Sequence, residues 1–242
     1  SKWHNIAAKK SKTDAARGAV FTKIGRELAV AAKGNPNPET NSKLADVIAK
    51  AKAANMPNDN IKRSIARAAG ELSGKDYKEL TYEGYGVAGS AVIIKTLTDN
   101  VNRTSGDISS TMSKCGGQMG KPGCVSYQFD NKGVIVIEKT VALDEDTMME
   151  YCLEAEAEDF VSEDDVYEVY TTPEAFSSVR KYFEDKGVTF LEAEVKMVPQ
   201  NTITLPADKQ ATFIKMIDKL EELDDVQNVY HNVELPEEDE EE

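Results

Sequence analysis

Histidine is almost missing from this 242-residue chain: there are two, His4 and His231, one near each end. That scarcity removes the side chain on which most acid–base pairs, activated nucleophiles and zinc sites depend. No convincing Ser/His/Asp or Cys/His set can be assembled. Cysteine is hardly more abundant. Cys115, Cys124 and Cys152 cannot all pair with one another, and Cys115 and Cys124 lack two further ligands for a structural zinc ion. The three read as reduced, buried thiols in a cytosol-like compartment. Long apolar stretches are lacking too. Runs such as Val134-Ile135-Val136-Ile137 fall far short of the roughly 18 residues that span a bilayer. Ser1-Lys2-Trp3-His4 leads into charge rather than into the apolar core of a secretory signal. There is no Walker-type phosphate loop. These absences predict a cytoplasmic, non-enzymatic protein with no membrane partner, no cofactor, no metal and no small-molecule substrate.

What is present is charge, unevenly placed. The chain has 29 basic and 43 acidic residues, a net charge of −14. Residues 1–70 hold fourteen Lys/Arg against five Asp/Glu, a net of +9, whereas residues 71–242 carry −23. A basic module on an acidic body points to an anionic partner for one end, nucleic acid before membrane.

The same boundary separates two periodicities. In residues 1–70 apolar side chains recur at helical spacing. Val20, Phe21, Ile24, Leu28 and Ala31 mark a helix over about 17–33, which Gly34-Asn35-Pro36-Asn37-Pro38 ends. Leu44, Val47, Ile48 and Ala51 mark a second helix. Pro57 suits the start of a third, carrying Ile61, Ile65, Ala68 and Ala69 up to Gly70. Trp3–Ala16 is either a short helix or an arm. Further on, strands are expected at 90–97, 124–129, 134–137, 166–171, 188–198 and 226–233. Helices are expected through Ile108 and Met112, at 148–157, 173–186 and 208–223. This alternation predicts an α+β fold: a helical N-terminal domain followed by two α/β domains of split βαβ, ferredoxin-like type. The expected division is 1–75 for the basic helical domain, 76–132 plus 200–236 for a discontinuous middle domain, and 133–199 for a domain inserted in it. Residues 237–242 form an acidic tail.

Several motifs need sorting. Gly84-Tyr85-Gly86-Val87-Ala88-Gly89 matches the spacing of a dinucleotide fingerprint, but the strand comes after it, so a turn is expected. In Thr98-Asp99-Asn100-Val101-Asn102-Arg103-Thr104 one of Asp99, Asn100 or Asn102 is expected to cap a helix; the functional alternative has Arg103 contacting phosphate or an acidic neighbour. Asp144-Glu145-Asp146 and Glu163-Asp164-Asp165 suit helix starts and turns better than catalysis. The candidate nucleic-acid contacts are Lys2, Lys9, Lys10, Lys12, Arg17, Lys23, Arg26, Lys50, Lys52, Lys62, Arg63 and Arg67. Trp3 joins them, either stacking on a base or anchoring the arm.

Six stretches also resemble one known family. They are Ser1-Lys2-Trp3-His4-Asn5-Ile6, Asp14-Ala15-Ala16-Arg17-Gly18, Phe21-Thr22-Lys23, Lys50-Ala51-Lys52-Ala53-Ala54-Asn55-Met56-Pro57 with Asn60-Ile61, Tyr82-Glu83-Gly84-Tyr85-Gly86, and Leu97 to Thr104. Together they resemble the YebC family along the whole chain, with Val87-Ala88-Gly89 standing where Pro-Gly-Gly is common. The resemblance implies three domains, the middle one discontinuous, and no catalytic activity. It implies either a DNA-binding transcriptional regulator or a ribosome-associated translation factor, like the mitochondrial translational activator of cytochrome c oxidase. The partner would then be DNA or ribosomal RNA. No recognition helix with Arg, Asn and Gln base readers stands out, which favours contact led by the backbone.

Overall fold

The computed structural model describes residues 14–70 and 76–236. The arm before Asp14 and the acidic tail lie outside the described residues. Contacts divide the described chain into two compact units, residues 20–70 with 131–196 and residues 14–19 with 76–130 and 197–236.

The N-terminal region is helical, with α1 (Asp14–Ala32), which belongs to the first unit from Val20 on, α2 (Ser42–Ala53) and α3 (Asn58–Gly70). Ile24, Leu28, Leu44, Ala51, Met56 and Ile61 form its core. At about 1.5–3 kcal/mol for each large aliphatic chain removed from water, that stripe drives the association. Asn41 fixes the first corner: its Oδ1 accepts from the Leu44 amide at 3.1 Å, capping α2. Its Nδ2 donates to the Ala31 carbonyl, one of the orphan acceptors at the end of α1. Asn55 makes the second corner in the left-handed region, φ 60°, before Pro57 opens the next helix. Of the expected stripe on α1, Ile24, Leu28 and Ala31 are buried, while Val20 is exposed.

The same unit holds one four-stranded sheet. Its strands are β4 (Phe129–Glu138), β5 (Asp159–Ser162), β6 (Val166–Thr171) and β7 (Glu192–Pro199), in the order β5-β6-β4-β7. With α5 (Glu145–Glu154) and α6 (Phe176–Asp185) between them, the chain runs β-α-β-β-α-β, the split βαβ pattern. Ile135, Ile137, Met148, Val169, Phe176 and Phe183 fill the space between sheet and helices.

The second unit holds the other sheet, order β3-β1-β2-β8, built from β1 (Lys78–Tyr85), β2 (Ala91–Thr98), β3 (Gln118–Met119) and β8 (Val226–His231). It carries α4 (Val101–Lys114) and α7 (Ala207–Glu222). β2 and β3 flank β1, to which both run antiparallel, so β2-α4-β3 is a split βαβ unit. β8 follows α7 and pairs antiparallel with β2. Ferredoxin-like order would bring β1 in after β3; here the inserted domain occupies that place in the chain and β1 comes first. Thus the middle domain is discontinuous. β2 is buried on both faces. Val92 and Ile94 meet Ile108, Phe213 and Leu220, while Ala91 and Ile93 meet Val125, Phe129 and Tyr230. A strand covered on both sides reads as the unbroken apolar run seen in its sequence.

Three local expectations fail. Residues 124–129 are not a strand: a turn leads into a 3-10 turn at Ser126–Gln128, and only Phe129 belongs to β4. β1 is a strand where only a turn was expected, because Lys78, Glu79 and Thr81 are exposed and the apolar alternation is weak. β5 is a short strand where none was expected, with only Asp159 and Ser162 of its four residues exposed.

Candidate nucleic-acid interface

On α3, Ile61 is buried and Ile65 and Ala68 pack against the helical core, which turns Lys62, Arg63 and Arg67 outward. Lys52 is exposed at the end of α2. Among the described residues Lys52, Lys62 and Arg67 make no ion pair, and Arg63 donates only to the Asn60 side-chain oxygen, at 3.3 Å. This is what solvated or anion-seeking cations look like. Arg17 is exposed on α1, while Lys23 and Arg26 are half-buried there, and all three have polar partners. Lys2, Trp3, Lys9, Lys10 and Lys12 lie outside the described residues.

Lys50 behaves differently. Its ammonium lies 3.1 Å from Glu27 on α1 and 3.0 Å from Glu194 on β7, with its side chain only 21% exposed. One turn earlier on α2, Asp46 accepts from Arg180 Nε at 2.8 Å and from the Ser177 hydroxyl at 2.6 Å. These pairs join α2 to the inserted domain. Beside them Lys196 sits 2.5 Å from Glu192. Burial works against the Lys196 charge, but Glu192 and Glu194 outweigh it and hold its pKa above the ordinary lysine value.

Arg103 is exposed but likewise engaged by carboxylates. Its guanidinium donates through Nε and Nη2 to the two oxygens of Asp225, at 3.1 and 2.9 Å, and through Nη2 to Asp99 at 2.7 Å. Hydrogen bonds to Asp225, then Asp99, raise its pKa beyond the already high arginine value. Asp225 is buried and also accepts from the Thr104 hydroxyl at 2.8 Å. Asn100 is the cap, its Oδ1 accepting from the Arg103 amide. The 98–104 stretch therefore starts α4 and fastens it to the turn before β8.

Glu83 explains the missing strand. It is 8% exposed, and its carboxylate accepts from the amides of Gly123 at 2.5 Å, Val125 at 3.1 Å and Ser126 at 2.7 Å. Those donors would otherwise serve a ladder. Burial pushes its pKa up, but the three backbone bonds prevail and leave it below the usual value. The glycines around it allow close approach. A Cβ on Gly84 would lie 2.5 Å from the Gln118 carbonyl, and one on Gly117 2.6 Å from that of Tyr85. The G-x-G-x-x-G stretch thus ends β1 and makes the turn from β1 to β2, with Ala88 at φ 57° and Gly89 at φ 74°.

The remaining candidates are structural. Asp144 caps α5 by accepting from the Thr147 amide at 2.8 Å. His231 accepts from the Val233 amide and packs its ring edge on Phe213. The three thiols are free, and burial pushes Cys152 up to about 11. Among the described residues no group of three or more His, Cys, Asp or Glu is placed to hold a metal ion, and no helix is long and apolar enough to cross a membrane.

A helical region with outward cations, followed by two split-βαβ sheets of which one is threaded through the other in sequence, defines a three-domain helical and α/β class. The family model described as the TACO1/YebC protein N-terminal domain matches residues 1–71, and that of the TACO1/YebC second and third domain matches residues 77–233. A probable transcriptional regulatory protein of Clostridium tetani is 56% identical over 239 residues, covering 98% of this chain and 97% of its own. One from Acetivibrio thermocellus is 57% identical over 234 residues, covering 96% and 97%. The crystal structure of a conserved hypothetical protein from Aquifex aeolicus, 40% identical, superposes with a TM-score of 0.80 over 96% of each chain. The chain belongs to the TACO1/YebC family.

Proposed function

We propose that this protein is a non-enzymatic regulator of gene expression that binds nucleic acid through its helical domain, residues 1–75. The observation that carries the reading is the set of exposed cations on α2 and α3, Lys52, Lys62, Arg63 and Arg67, without an ion pair among the described residues, in a region of net +9. Relatives named probable transcriptional regulatory proteins support the regulatory role and make DNA the first target. Lys50 and Arg103 drop out of the contact set because carboxylates hold them. Arg17, Lys23 and Arg26 remain in it, with the cations of the N-terminal arm. Affinity would come from phosphate neutralisation and counterion release, so it should fall steeply with salt.

A second reading, contact with ribosomal RNA, is favoured by α3 itself. Asn60, the amide beside the arginines, accepts from Arg63, which leaves cations with little to read base edges. Titration against duplex DNA and structured RNA tests both. About five phosphate contacts predict a log K against log salt slope of about −4 to −5 on duplex DNA. The triple variant Lys62→Ala, Arg63→Ala, Arg67→Ala should lower that slope by two to three. A flat wild-type slope on both ligands, or a triple variant that binds as wild type does, would refute nucleic-acid binding through these helices. Crosslinking and sequencing of the bound strand separates promoter DNA from ribosomal RNA.

A further inference from the structure

A second set of exposed cations, without ion pairs among the described residues, lies in the other unit. α4 packs beside α7, and between their C-terminal halves runs an open groove of about 430 Å³. Lys114 on one side and Lys215 and Lys219 on the other line it, with Thr111 contributing a hydroxyl and Leu223 an apolar wall. Lys114 and Lys219 stand in the last turns of their helices, where a cation also offsets the dipole. Lys215 stands a turn earlier on α7, beyond that explanation. All three lysines are exposed, and among the described residues none forms an ion pair, although Glu222 lines the same groove. Three ammonium groups from two helices line one concavity that a single glutamate, Glu222, shares, an arrangement suited to a multivalent anion.

We propose that the α4–α7 groove binds paired phosphates, as carried by adjacent residues of a nucleic-acid strand. Lys215 and Lys219, four residues apart, follow the strand along one helix face while Lys114 closes from the other. Thr111 donates to a phosphate oxygen. Lysines suit this use because each offers a point charge with rotatable donors to a backbone read without regard to sequence. The choice of a nucleic-acid strand as ligand rests on the function proposed above; the phosphate chemistry of the groove does not.

The test uses the full chain and a fluorescent 12-residue oligouridylate, with binding followed from 50 to 200 mM salt. Lys114→Ala, Lys215→Ala and Lys219→Ala together should weaken binding about tenfold and reduce the salt slope by about two. A matched variant removing three cations elsewhere in the same unit, at Lys78, Lys121 and Lys209, should stay within twofold of wild type. If the groove variant matches that control, the groove is not a strand site. Loss in the groove variant with no loss in the α3 triple variant would keep the groove and discard the helical reading. If wild type binds no oligonucleotide, titration with inorganic pyrophosphate, followed by amide shifts of the labelled protein, decides. Shifts confined to residues 111–115 and 215–223 uphold a paired-phosphate site, and their absence overturns it.

Discussion

Arg103 and Arg67 both lie on helices near the surface, and they are in opposite conditions. Arg103 closes on Asp225 and Asp99 and fastens α4 to the turn before β8. Arg67 sits on the outer face of α3 with its core neighbours turned away and no carboxylate paired to it among the described residues. Lys50 and Lys52 repeat the contrast two residues apart on α2. A helix turns about 100° per residue, so neighbours two apart face different surroundings. Lys50 meets Glu27 and Glu194, and Lys52 meets solvent. A basic stretch therefore holds two populations, cations that position domains and cations free to recruit an anion.

The first population can be exposed by removing its carboxylates. Asp225→Ala should have the largest effect. It takes one of three acceptors from the buried Thr104 hydroxyl and breaks both bonds from Arg103 to Asp225, and a loss of about 2–3 kcal/mol is expected in denaturant unfolding. Nucleic-acid affinity of the folded variant should stay at the wild-type level. A marked gain in affinity would instead show that Arg103 is held in reserve for phosphate.

Glu83→Gln comes next, at about 2 kcal/mol near neutral pH, since a neutral amide accepts less strongly from three backbone donors and brings donors of its own. The pH dependence has a definite sign. The folded state holds the Glu83 carboxyl below its ordinary pKa, so its contribution is complete above that value and disappears as pH falls through the folded one. The gap in stability between wild type and Glu83→Gln should therefore close below about pH 4. A gap of constant size down to pH 2 would mean that packing, not charge, makes the residue matter.

Much of this architecture was legible in the residues, and the illegible parts share a cause. α1 to α3 and β2 follow from periodicity because their burial is decided by their own side chains, as at Leu28, Leu44 and Ile94. The loop before β4 could not be read that way. Val125 and Phe129 look like a strand, and what prevents one is a carboxylate 42 residues earlier in the chain that takes the Val125 amide. Arg103 and Asp225 are 122 residues apart, and nothing near either identifies the other. The same holds for the candidate interface. Composition located the basic region, but only packing separates Lys50 from Lys52, and only the approach of α4 to α7 brings Lys114 beside Lys215. Local pattern reports an element's inward face; the partners of a charged side chain are set by long-range topology.

The smallest effects give the sharpest version of the comparison. Lys50→Ala leaves Glu27 and Glu194 facing each other without the cation between them, both only about 15% exposed, so a cost of about 1 kcal/mol is expected. Lys52→Ala removes an exposed side chain and should stay within about 0.5 kcal/mol of wild type. Binding should rank them the other way. Lys52→Ala should reduce the salt slope on duplex DNA by about 0.9, one phosphate contact, while Lys50→Ala leaves the slope unchanged. Because the two positions share one helix and one charge type, neither helix propensity nor net charge can produce opposite orders in stability and binding. If both variants lose the same slope, Lys50 exchanges its carboxylates for phosphate on binding, and the division between positioning and recruiting cations is wrong at that residue.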